Sequence, residues 1–246
     1  MKRKTWLEKF IQLADSNAQA RKFKIELSIK SSDIPRHIKN INEYRTELYN
    51  IINGKDNKDD EIFMNGNKIF CIGLPKTGTV SMNQFLNSCK IRSLHFGQPE
   101  ANEIRNKIYR GIYKFDTMKN YDALTNCGEN YFAQLDHQYP GSKFVFTTRD
   151  KERWLISIKK HWDKTISKVG EKAVMGIHHH LIVFGCYLFN RDRFSYVYDT
   201  THMLVNDYFK DRCDCFTFNI DNKDVSGLKV FLGLNNAIAF PHSNKG

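Results

Sequence analysis

Four apolar residues, Ile69 to Ile72, run straight into Gly73-Leu-Pro-Lys-Thr-Gly78, and Met82, Phe85, Leu86 and Cys89 then recur at helical spacing. An apolar run this short, bounded by a glycine, reads as a strand buried on both faces, as strands of parallel sheets are. The bracketing glycines let the backbone take positive φ and approach an anion closely. The helix that follows turns its free N–H groups and positive dipole end toward the same place. The segment is therefore expected to be a strand, an anion-binding loop and a helix. Anion binding is the first functional expectation; a plain turn between strand and helix is the bland alternative.

The same rhythm continues downstream. Ile91–Leu94 and Lys143–Thr148 read as strands. A helix is expected from Asp150, with Trp154, Ile158 and Trp162 facing a core, and further helices over 172–190 and 194–209. Cys215–Ile220 reads as a late strand and Val225–Leu232 as a last helix. Alternating β and α elements predict an α/β fold: a parallel sheet with helices on both faces. Residues 1–65 have another texture. An amphipathic helix over 4–14, an alternating strand from Lys22 to Lys30, a helix from Pro35 to about Gly54 and a hairpin signal at Asn65-Gly66 predict a mixed N-terminal extension packed on a main domain over 66–246.

Charge and composition narrow the function. Lys and Arg number 38 and Asp and Glu 27, a net +11, which favours anionic partners. The cations are scattered and form no block, so no nucleic-acid interface is expected. The longest apolar run, Leu181–Phe189, is nine residues, where a membrane span needs about 20. No secretory pattern is read in the opening residues. Six cysteines scattered from Cys71 to Cys215 read as reduced thiols, and a cytoplasmic location is expected. No metal is expected: Cys213-x-Cys215 has the wrong spacing for a zinc knuckle, and His178, His179 and His180 would point about 100° apart on a helix.

In NTPases the glycine loop continues Gly-Lys-Ser/Thr, with the lysine on the β/γ-phosphates and the hydroxyl on Mg²⁺. Here Gly78 is followed by Thr79 and Val80, and the lysine, Lys76, lies inside the loop. In that form Phe70–Ser81 resembles the 5′-phosphosulfate loop of sulfotransferases that use 3′-phosphoadenosine 5′-phosphosulfate (PAPS). A second element resembles theirs too: Tyr139–Thr148 leads to Arg149, and Ser157 follows eight positions on. Phe231-Leu-Gly233 and Phe240-Pro-His-Ser-Asn244 are a weaker third match, to bacterial-type members. The resemblance spans roughly 68–246.

It implies a P-loop NTPase-like sheet and transfer of a sulfuryl group from PAPS to a hydroxyl or amine acceptor by in-line displacement, releasing adenosine 3′,5′-bisphosphate (PAP). Pro75, Lys76, Thr77, Gly78, Thr79, Val80 and Ser81 would hold the phosphosulfate. Arg149 and Ser157 would hold the 3′-phosphate, a guanidinium suiting it bidentately. Lys76 would stabilise charge on the leaving oxygen. The family often places a His or Glu base just after the second strand, and His95 stands there, with Glu100, Glu129 and Asp136 behind it. The acceptor-facing segment departs from the pattern: Cys127-Gly-Glu129 stands where relatives often carry an acidic residue and a proline. The alternative is a P-loop small-molecule kinase, which would need ATP and Mg²⁺. Tyr109, Tyr113 and Phe115 could line an acceptor pocket, but read first as packing residues, as do Trp154 and Trp162.

Overall fold

The computed structural model describes residues 67–166, 179–186, 188–222, 224–234 and 238–241. All of these but Lys164, Thr165 and Ile166 belong to one unit, Asp60–Asp163 with His179–Gly246. The expected extension over 1–65 lies outside the described residues. Five parallel strands pair in the order β2-β3-β1-β4-β5: β1 (Ile69–Cys71), β2 (Ser93–His95), β3 (Ala123–Thr125), β4 (Lys143–Thr148) and β5 (Cys215–Asn219). The connecting helices are α1 (Thr79–Ser88), α2 (Asn102–Tyr109), α3 (Phe132–Gln138), α4 (Lys151–Ile166), α5 (Arg191–Tyr208) and α6 (Val225–Leu232). This is the expected α/β architecture.

Successive strand residues feed opposite faces, and both faces are covered. Phe70, Leu94, Leu124, Phe144 and Phe146 pack with Ile104, Phe115, Leu135, Tyr139 and Phe209. Their neighbours Cys71, Ala123, Val145 and Phe218 pack with Met82, Phe85, Leu86, Leu228 and Phe240. A third cluster joins α4 to α5 through Trp154, Ile158, Trp162, Phe184 and Phe194. Each buried Leu, Ile, Val, Met or Phe side chain among them contributes roughly 1.5–3 kcal/mol by leaving water.

The structure departs from the sequence reading at four places. β3 was not expected; its three residues are wholly buried, and three residues carry no periodicity. β2 lies at Ser93–His95 rather than Ile91–Leu94, because Asn87 and Asn83 on α1 take Ser93 into their hydrogen bonds while Ile91 packs at the edge of the α1 cluster. α5 starts three residues early, where the Asn190 side chain accepts from Arg193 N–H at 2.8 Å. Of the helix expected over 172–190, only 179–184 is helical among the described residues, and Gly185 at φ +68° ends it.

Candidate active site

The loop after β1 is shaped by close approaches that only these residues permit. A Cβ on Gly73 would lie 1.9 Å from Thr147 Oγ1 and 2.2 Å from the Thr147 carbonyl. Thr77 Oγ1 donates to the Leu74 carbonyl at 2.7 Å and meets Thr147 Oγ1 at 2.8 Å, tying the loop to β4. Gly78 stands at φ +92°, and a Cβ there would lie 2.0 Å from Ile220 Cδ1. Trp154 Nε1–H donates to the Pro75 carbonyl at 2.8 Å. The sequence placed Trp154 in the core; that it also fastens the loop left no trace in the spacing.

Gly78 caps α1 without a side-chain hydrogen bond, and the first turn of α1 carries no acidic residue. The first intrahelical bond runs from Met82 N–H to the Gly78 carbonyl at 2.9 Å. The N–H groups of Thr79, Val80 and Ser81 precede that bond and point out of the helix start. Together with Lys76 they offer donors and positive potential to an anion.

Arg149 follows β4 directly. Its carbonyl accepts from the Tyr198 hydroxyl at 2.6 Å. Its Nε is buried without a hydrogen bond, 4.0 Å from Asp221 Oδ1. Asp221 also accepts from Asp150 N–H at 2.9 Å and Arg153 Nη1 at 3.3 Å. Ile220 N–H donates to the Thr148 carbonyl at 3.0 Å, so the residue against Gly78 is hydrogen-bonded to the strand end that presents Arg149. Ser157 is partly exposed on α4, one turn beyond the Trp154 that holds Pro75.

On the other side of β1, Thr79 Oγ1 donates to Asn126 Oδ1 at 3.1 Å and stands 3.5 Å from His95 Nε2. Gly97 N–H donates to His95 Nδ1 at 3.0 Å, which leaves the proton of the neutral ring on Nε2. Burial pulls the His95 pKa down to about 4. Glu100 is exposed. Asp136 accepts from Arg212 Nη1 and the Tyr208 hydroxyl, both at 2.7 Å, which is a structural role. Glu129 is buried, and burial pushes its pKa up to about 7. His180 is buried, with its ring 3.9 Å from that of Trp162, and His179 is partly buried beside Glu129. Phe115 is buried, and the Tyr113 ring lies tilted against that of Tyr131 with centroids 5.5 Å apart. The described residues hold no group of three or more metal-ligating side chains, and no helix among them is long and apolar enough to cross a membrane.

Residues 68–246 match the family model described as "Sulfotransferase domain". Among solved structures, one described as a sulfotransferase from Alicyclobacillus acidocaldarius aligns at 12% identity and a TM-score of 0.48, covering 74% of this chain and 86% of that one. No curated protein sequence matches the chain.

Proposed function

The chain belongs to the sulfotransferase domain family, and from that premise we propose that it transfers a sulfuryl group from PAPS to a hydroxyl or amine acceptor by in-line displacement. One observation carries the donor assignment. β1 and β4 pair side by side, Cys71 against Val145, so the glycine loop and Arg149 leave neighbouring strand ends although they are distant in sequence. A ligand with anionic groups at two separate positions suits that pair of sites. Arg149 Nε, buried without a hydrogen bond though 4.0 Å from Asp221, and the start of α1, which has no side-chain cap, both suit an anion.

PAPS supplies an activated sulfuryl group and a phosphate leaving group. Lys76 offsets charge on the oxygen that departs, as preorganised cations do, and the N–H groups of Gly78 to Ser81 hold the phosphosulfate in a loop that Thr77 closes by donating its own N–H to the Leu74 carbonyl at 3.2 Å. Pro75 and Gly78 fix the loop that presents them. Arg149 and Ser157 hold the 3′-phosphate. His95, neutral at pH 7, takes the acceptor's proton after its own ring proton has shifted. Because Gly97 N–H occupies Nδ1, acceptance at Nε2 requires the resting proton to move to Nδ1 and the Gly97 bond to open.

The experiment is thermal unfolding without metal. PAP should raise the melting temperature clearly more than AMP. Equal shifts would sink the two-site reading, and a larger shift with ATP and Mg²⁺ would favour a kinase.

A further inference from the structure

Glu129 is the side chain that the donor and base roles leave unused and that fits its surroundings worst. Its side chain is 1% exposed, and neither carboxyl oxygen meets a hydrogen-bond partner on another residue; only its own backbone N–H pulls on it. Buried polar groups are nearly always paired, and an unpaired buried carboxylate is strongly disfavoured. Its neighbours do not compensate it. His179 Nε2 lies 3.7 Å from Oε1, beyond a hydrogen bond, and burial holds that imidazole down to about 4, hence neutral. Cys127 and Tyr131, on whose groups this carboxyl acts, are kept protonated by burial. His95, His161 and Arg105 reach His179. The Arg105 guanidinium, however, is spent on the Phe96 and Gln98 carbonyls and on Asn102.

The place of Glu129 is as informative as its state. The segment after β3 is tied to α1 by Thr79 and Asn126. At its other end Asn130 Nδ2 donates to the Ile182 carbonyl at 3.2 Å. Glu129 thus sits between the start of α1 and the helical stretch 179–184, on the His95 side of the loop and away from Arg149. Aromatic rings stand close by: Phe96 faces His179 with centroids 5.3 Å apart, and Tyr131 follows two residues on.

We propose that Glu129, with the Phe96 and Tyr131 rings near it, is a subsite for a protonated amino group, so that the acceptor carries a basic nitrogen. Calling the ligand an acceptor rests on the sulfotransferase reading; the ammonium site itself does not. A hydroxyl would bring one donor and no charge, and would leave an oxygen open. An ammonium brings three donors and the missing positive charge, and aromatic faces favour it further.

The test follows the carboxyl directly. The full chain, labelled with ¹³C at glutamate carboxyls, is titrated in the presence of n-butylammonium or of n-butanol. Glu129→Gln assigns the signal, and Glu129→Asp serves if that variant fails to fold. Butylammonium should lower the Glu129 midpoint by about one unit or more, as an adjacent opposite charge does, and butanol should leave it in place. No shift, or an equal shift with butanol, overturns the proposal. Glu129→Gln should also lose the stabilisation by butylammonium while keeping that by PAP. If PAP fails to stabilise even the wild type, the donor reading falls and the Glu129 titration still decides the ammonium site.

Discussion

At Lys76 the backbone sits at φ +74°, a left-handed conformation that costs a side-chain-bearing residue roughly 1–3 kcal/mol. Asn126, at φ +62°, shares that conformation at the end of β3. Lys90 and Asp211, the other two such residues among the described ones, stand just beyond α1 and α5, where left-handed residues commonly end helices. Strain without that excuse therefore falls on the two residues that shape the loop and meet Thr79. Lys76 and His95 are separable in this picture. Lys76→Ala should cut turnover by about 10²–10³, the usual loss for one preorganised charge. His95→Asn should lose about 10²–10⁴ if the imidazole is the acceptor's base, yet bind PAP within a few-fold of wild type in a calorimetric titration. Retained turnover in His95→Asn would move the base elsewhere, and lost PAP binding would make His95 structural.

At the scale of elements, α4 both carries Ser157 and fastens the loop through Trp154. Trp154→Phe keeps most of the buried ring and leaves the Pro75 carbonyl without its donor. Unfolding in urea should show a loss of about 1–3 kcal/mol, the cost of an unsatisfied buried acceptor, and PAP should bind several-fold more weakly. Unchanged PAP affinity would show that the clamp does not shape the loop. Legibility followed the length and the chemistry of each piece. β1, β4, α1 and the glycine loop could be read because their hydrophobic runs and turn residues are local signals. β3 could not: Ala123–Thr125 is three residues with no alternation, and its place between β1 and β2 is decided by partners far along the chain. Glu129 could be named as a carboxylate near the acceptor. Its burial beside two protonated neighbours and a neutral histidine depends on 179–184 closing over it, which no spacing within 126–131 encodes.

Across the whole molecule, buried titratable groups pull stability in opposite directions with pH. Burial lowers His95 and His179 to about 4 and His180 to about 3. The unfolded chain then binds more protons than the native one below about pH 6.5, and stability falls as pH drops. Glu129, raised to about 7, does the reverse: the native state holds its proton longer, so stability is lost as pH rises from the ordinary carboxyl range toward 7. Glu129→Gln should consequently be more stable than wild type at pH 8, by up to a few kcal/mol, with the gain fading as pH approaches 4.5. Chemical denaturation across that range measures it, and a pH-independent difference would remove the titration from the account. The pairing of β1 with β4, Ile69 against Lys143, has a bearing on how the chain reaches its native state. Its two anion-holding corners are joined by a contact that closes a long loop, and such contacts form late and slowly. A half-collapsed chain would own either corner but not their spacing. Affinity for a ligand that spans both would then arrive only with the last cooperative step, as a property of the finished sheet and of no fragment of it.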